Sequence, residues 1–247
     1  MSTNMLVYAE CENHMPDVDV TKLPILDDMN GPLADRAYTA LKSAIMAMDF
    51  APGAFIRKSA LCDRLGLSRS PVTDALAKLS VEGLVDIVPQ SGTRVARLSM
   101  AAVREDVFLR ETLEVAAARY AAEHRTDAVL ARLSRNIEMQ KLLVADGDVD
   151  EFMRTDIAFH ETIMATTNVS RLPGVVRTVS PSVDRARKLL MPEPGRMADT
   201  VEEHVHVASA IRRQDGKGAE DAMRSHVRQL LRRLEPLEAA RPDLFSK

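Results

Sequence analysis

The chain has 247 residues, 46% of them hydrophobic, and a formal net charge of −3, which suffices for one large or two modest domains with cores of their own. No stretch reaches the ~18 apolar residues of a membrane helix and the opening is not a basic-then-apolar leader, so a soluble cytoplasmic protein without a membrane partner is expected. Two cysteines, Cys11 and Cys62, cannot build a CxxC metal knuckle, and nine aromatic residues without a Trp leave little for a base-stacking platform.

Charge is uneven along the chain. Residues 1–30 hold one Lys against six acids, residues 31–100 nine basic against six acidic residues, and the remainder 23 against 24. The first thirty residues have no sustained period and read as a mostly disordered acidic tail, which sets Cys11 and His14 outside any packed site. The basic stretch is where a polyanion partner is expected.

From Leu33 the apolar positions Ala34, Tyr38, Leu41, Ile45 and Met48 step by four and three, marking one helix face that ends at Pro52-Gly53. A short helix is expected over 58–65. After Gly66, Ser68 or Ser70 caps a third helix that takes Pro71 in its first turn and runs to about Glu82. Two β-rich runs, 84–88 and 93–96, flank Pro89-Gln90-Ser91-Gly92 as in a hairpin. Three helices and a hairpin, residues 31–98, make a winged helix-turn-helix.

After Ser99, an N-cap, strand signals vanish. Helical runs follow at about 101–123, 127–145, 149–166, 171–190 with Pro173 and Pro181 inside, 196–213 and 219–237. Six antiparallel helices form an all-α bundle over 99–240, so the fold class is mainly α.

Val72, Leu76 and Leu79 form the buried stripe of the third helix, leaving Arg69, Ser70, Thr73 and Lys78 outside it. Such a helix presents its N-terminal half to the major groove of double-stranded DNA, with Ser68 and Ser70 near phosphate and Arg69 able to fork onto guanine. Gly92 and Arg94 at the hairpin tip suit a wing that reaches a minor groove or a phosphate. The plainer alternative is a solvated helix face and an ordinary hairpin glycine.

The run LGLSRSPVTDALAKLSVEGLVDIVPQSGTRVARLS resembles the winged-helix domain of the GntR family of bacterial transcription regulators. Ser68, Arg69, Pro71, Val72, Ala75 and Leu76 match the family's Ser-Arg-Thr-Pro-Val-Arg-Glu-Ala-Leu, with Ser70 and Asp74 as close replacements. Thr73 departs from it, standing where the family has a second DNA-contacting Arg; Lys58 and Gln90-Ser91 depart as well. The resemblance therefore implies the fold and DNA binding, and not the family's operator sequence.

In the helical part, Asp156 and His160 lie four apart on one helix face. His204 precedes the Gly216-Lys217-Gly218 link and His226 follows it, so an antiparallel pair sets them level. Three imidazoles and a carboxylate suit Zn²⁺, and also Ni²⁺, Mn²⁺ or Fe²⁺. His206 points about 200° away from His204 on the same helix, and His124 reads as a helix-end histidine. Taken singly, each His has the alternative of ordinary packing.

Residues 101–237 are similar to the helical FCD effector domain of the FadR branch of GntR regulators, in which a D-x₃-H and two later His commonly bind metal. That resemblance implies metal at Asp156, His160, His204 and His226, and a small carboxylate effector. It also implies Arg110 as an effector anchor, against the alternative that Arg110 pairs with Glu111 or Glu114 on its own helix.

The expected function is a ligand-responsive DNA-binding repressor, acting as a homodimer because one recognition helix reads only a half-site. Two rivals stand beside it: a metal-dependent hydrolase, for which no HExxH, GxSxG or GxxxxGK[ST] is present, and a regulator whose metal is only structural.

Overall fold

The computed structural model describes residues 16–26, 29–88 and 92–246. It divides into two compact units, one holding the described residues up to Arg97 together with Asp243–Ser246, the other Leu98–Pro242.

In the first unit, α1 (Leu33–Met46), α2 (Lys58–Leu65) and α3 (Arg69–Val81) accompany a sheet of order β1-β3-β2, with β1 Phe55–Ile56, β2 Val85–Val88 and β3 Gly92–Val95. The buried stripe of α1, Ala37, Leu41, Ala44 and Ile45, packs on Val72, Ala75, Leu76 and Leu79 of α3. Gly66 ends α2 with φ +64°, a left-handed conformation that glycine adopts without strain. Its N–H caps Cys62 O, which turns the chain into Ser68 at the N-cap of α3. The β2–β3 hairpin pairs Val85 with Val95 and Val88 with Gly92; β1, two residues long and without a period to announce it, adds to β3.

The tail expected over 1–30 is corrected for residues 16–26. Asp17 bridges Phe55 in parallel, with Val18 N–H donating to Phe55 O at 2.9 Å and Phe55 N–H to Pro16 O at 3.0 Å. Val18, Leu23 and Leu26 are buried in the core of this unit. Arg64 donates to the carbonyls of Val20 (3.1 Å) and Leu23 (2.5 Å), and Arg36 to that of Leu26. Three apolar side chains and donors supplied by α1 and α2 hold this segment, whose local structure is one short 3₁₀ turn, Val20–Lys22, capped by Asp19. Cys11 and His14 lie outside the described residues.

The second unit is helical: α4 (Met100–Glu123), α5 (Asp127–Asp146), α6 (Val149–Ala165), α7 (Leu172–Thr178), α8 (Pro181–Leu190), α9 (Arg196–Arg212) and α10 (Gly216–Ala240). The run expected at 171–190 is two helices, because Pro181 cannot continue the hydrogen-bond ladder of α7 and instead opens α8. Ser99, Thr126, Asp148 and Asp215 cap α4, α5, α6 and α10. The last cap draws Gly216-Lys217-Gly218 into the helix, since Asp215 Oδ1 accepts from Gly218 N–H at 2.8 Å and a Cβ on Gly218 would strike that carboxylate. α4 packs against α6, α8, α9 and α10, and α5 against α6 and α9, so α4, α6, α9 and α10 share the interior.

Candidate metal centre and nucleic-acid interface

On the first unit, Ser68, Arg69, Ser70 and Thr73 are exposed at the start of α3. Ser68 makes no side-chain cap bond, so its hydroxyl and the first N–H groups of the helix face outward together. Arg69 has no hydrogen-bond or ion-pair partner among the described residues. Lys78 is differently placed: its ammonium pairs with Asp35 of α1 at 2.5 Å, which fastens α3 to α1. Arg94 stacks its guanidinium 3.8 Å from the centroid of Phe55, beside Gly92, whose φ is +100°.

In the second unit, Asp156 and His160 of α6, His204 of α9 and His226 of α10 converge, each offering a ligand atom within 4.8 Å of the others. All four are buried, Asp156 and His204 completely. His160 Nε2 is 3.2 Å from His226 Nε2 and 3.8 Å from Asp156 Oδ2, and His204 Nε2 is 3.6 Å from Asp156 Oδ1. Bonds of 2.0–2.1 Å to a tetrahedral Zn²⁺ place ligand atoms about 3.3 Å apart, so the donor set fits such an ion.

The other nitrogen of every ring faces an oxygen. His160 Nδ1 lies 2.5 Å from Glu114 Oε2, His226 Nδ1 2.7 Å from Glu203 Oε2 and His204 Nδ1 2.8 Å from Gln140 Oε1. For His226 and His204 the facing oxygen accepts, which favours a proton on Nδ1 and a lone pair turned inward at Nε2; the His160–Glu114 contact is close but lacks hydrogen-bond geometry. His160 Nε2 and His226 Nε2 lie 3.2 Å apart, a separation that a shared proton or a bridging cation accommodates, and His204 Nε2 has no hydrogen-bond partner.

Electrostatics agree with this assignment. Burial opposes the charge on Asp156, but Arg187, at 2.5 Å, with His160 and His204, outweighs it and holds the carboxyl well below the usual carboxylate range. Glu114 is held low in the same way, Arg110 and His160 overcoming its burial. Burial, reinforced by His226, pushes His204 well down; burial lowers His226 against the pull of Glu203. Ionised acids beside His204 and His226 pushed toward neutrality suit metal ligation.

Arg110 makes the contact with its own helix that one sequence alternative foresaw, Nε to Glu114 Oε1 at 2.6 Å, yet it also lines two narrow clefts, with free volumes of about 20 and 40 Å³, that flank the cluster. His226 lines the first cleft, Asp156 and His160 the second, and Arg187 both. His206 is exposed on α9, away from the cluster. His124, at the end of α4, stacks on Tyr120 with ring centroids 4.0 Å apart. Gln140 and Glu203 escape sequence reasoning, and Glu114 enters it only as a helix partner of Arg110, four residues on, and not as a neighbour of His160.

Comparison with known proteins gives matches in both units. Residues 33–95 match the model of the bacterial regulatory proteins of the gntR family, and residues 106–229 that of the FCD domain. The HTH-type transcriptional repressor RspR of Escherichia coli (strain K12) is 28% identical over 216 residues, 87% of this chain and 95% of the relative. An uncharacterized HTH-type transcriptional regulator in an unstable DNA locus of Streptomyces ambofaciens is 32% identical over 209 residues, 85% and 88% of the two chains. Among solved structures, E. coli McbR/YncC aligns with a TM-score of 0.65 at 20% identity, over 84% of this chain and 99% of that one, a likeness of fold.

Proposed function

The chain belongs to the GntR family of bacterial regulatory proteins and is a transcription regulator with an FCD domain, and from that premise we propose that it is a cytoplasmic repressor. In this reading a homodimer grips double-stranded operator DNA, and a small carboxylate, sensed through a divalent metal in the helical unit, alters that grip. Similar proteins are regulators and not enzymes, which sets aside the metal-dependent hydrolase. That one relative is named a repressor supports the direction of control.

The observation that carries the metal reading is the convergence of four buried donors, Asp156, His160, His204 and His226, among which His204 Nε2 and both Asp156 oxygens have no hydrogen-bond partner. Asp156, His160, His204 and His226 would hold the ion. The donor set suits Zn²⁺, with Ni²⁺, Mn²⁺ or Fe²⁺ as the other candidates. Bound there, the ion supplies a positive anchor for a carboxylate. The chain's own part is to present neutral imidazoles, to keep Asp156 ionised through Arg187, and to line the approaches with Arg110 and Arg187.

At the DNA, Arg69 is the free guanidinium at the positive end of α3, suited to a guanine edge. Ser68, Ser70 and Thr73 supply hydroxyls to phosphate or base. Gly92 and Arg94 lie on the wing strand, with Arg94 steadied by Phe55. Lys78 shares the helix but is occupied by Asp35, so it belongs at the margin of this set. One such face reads one half-site, and a two-fold partner reads the other.

Complete burial of Asp156 and His204 also favours a second reading, in which the ion is only a staple. Binding of DNA from upstream of the protein's own gene, titrated with small carboxylates before and after chelation, separates the two. A sensor loses its response to carboxylate on chelation while still binding DNA. A staple melts at lower temperature with its carboxylate response unchanged, and absence of any carboxylate response in the loaded protein contradicts the sensor.

A further inference from the structure

Asp17 and Arg57 meet at the wing end of the sheet in the first unit. The pairing of β1 with β3 sets Phe55 opposite Arg94 and Ile56 opposite Thr93, so the next residue, Arg57, continues toward Gly92. Lys58 follows as the first residue of α2 and is one of the positions at which the chain departs from the family pattern. From there α2 runs back to Gly66 and the start of α3. Arg57-Lys58 and Ser68-Arg69 therefore lie at opposite ends of one eight-residue helix, about 12 Å apart. Lys58 has no hydrogen-bond or ion-pair partner among the described residues. Arg57 has one: its Nε lies 2.5 Å from Asp17 Oδ2, and both side chains are exposed. The backbone on either side of Asp17 is fixed to Phe55 through Pro16 O and Val18 N–H, and Val18 is buried. The segment is anchored while the Asp17 carboxylate is free to swing.

We propose that Arg57 and Lys58 form a DNA phosphate contact additional to α3 and the wing, and that Asp17 is a built-in competitor that holds Arg57 until a phosphate displaces it. The proposal rests on the DNA-binding reading above and adds to it a contact and its control. A guanidinium pairs with a phosphate as it does with a carboxylate, so the exchange leaves its charge satisfied. Exposed ion pairs are weak and screened by salt, whereas a duplex offers a row of phosphates whose release of counterions favours the exchange. The same pair is broken on any DNA. The competitor therefore lowers affinity for all sequences alike and leaves the contrast between operator and random DNA to the base-reading residues. The acidic character of residues 1–30, one Lys against six acids, has at Asp17 a local target in the basic unit that follows.

Binding of the whole chain to a short DNA duplex of random sequence, followed by fluorescence anisotropy over a range of salt concentrations, tests both halves. Arg57→Gln and Lys58→Gln are each expected to weaken binding and to lower the salt slope by about one per bound protomer. Asp17→Asn is expected to tighten binding by about two- to fivefold, the range of an exposed ion pair, and to lose that gain when combined with Arg57→Gln. A gain of equal size with and without Arg57 makes Asp17 a general repulsive charge and overturns the competitor. Asp17→Asn that leaves binding unchanged overturns it as well, and that arm decides should Arg57→Gln not fold. Unchanged salt slopes in Arg57→Gln and Lys58→Gln overturn the contact. In each of these cases operator binding that Arg69→Ala still weakens spares the DNA-binding reading, whereas a wild type that binds no DNA overturns both.

Discussion

Gln140 of α5 accepts the Nδ1–H of His204 at 2.8 Å while its own amide nitrogen donates to Asn136 Oδ1, 2.7 Å away. Asn136 in turn donates to the carbonyl of Thr155, the residue before Asp156, at 2.9 Å. This chain fixes the ring of one candidate ligand and ties α5 to the α6 backbone at another.

Gln140→Leu keeps the volume and removes the acceptor. Loss of an outer-shell partner typically weakens metal binding by about 10–100-fold, and the buried Nδ1–H left unpaired costs about 1–3 kcal/mol of stability. Chelator competition and a thermal melt check the two effects. A variant with unchanged metal affinity would show that His204 needs no outside help to hold its orientation.

Arg69→Ala is expected to lose about 1–3 kcal/mol of binding at a specific operator if the guanidinium forks onto a guanine, with far smaller loss on random duplex. Equal losses on both would assign Arg69 to phosphate. Thr73→Arg should tighten or retarget binding by adding a donor one helical turn further on. No change in either would put position 73 away from the groove. Mobility shifts on matched and random DNA at one salt concentration decide both points.

Leu23 is buried in the core of the first unit, so Leu23→Ala should lower that unit's stability by about 2–5 kcal/mol, as other large-to-small core changes do. An isolated fragment spanning residues 16–97 with this change should melt earlier than its parent. Identical melting would mean that residues 16–26 contribute nothing to the fold.

Much of this organisation is legible in the sequence, and the exceptions share a cause. The stripe Val72, Leu76 and Leu79 announces α3, and the four-residue step from Asp156 to His160 announces a shared helix face, because both depend on periodicity within one element. Residues 16–26 do not announce themselves: their order comes from Arg64, Arg36 and the edge of β1, all distant in sequence. Glu114, Gln140 and Glu203 face their histidines across helix contacts, a relationship that no local spacing encodes. The division of the fourth helical run at Pro181 lies between these cases, since the proline is visible but whether it kinks or ends a helix depends on packing.

The central claim is that Asp156, His160, His204 and His226 act together as one metal site, and the metal content of the purified protein is its most direct test. Elemental analysis of the wild type after metal-supplemented purification should find about one divalent ion per protomer. His160→Ala and His226→Ala should each lose most of it, because a three-point site is weak, and His206→Ala, on the outer face of α9, should retain it. A wild type without bound metal would contradict the account, as would His206→Ala losing as much metal as His204→Ala.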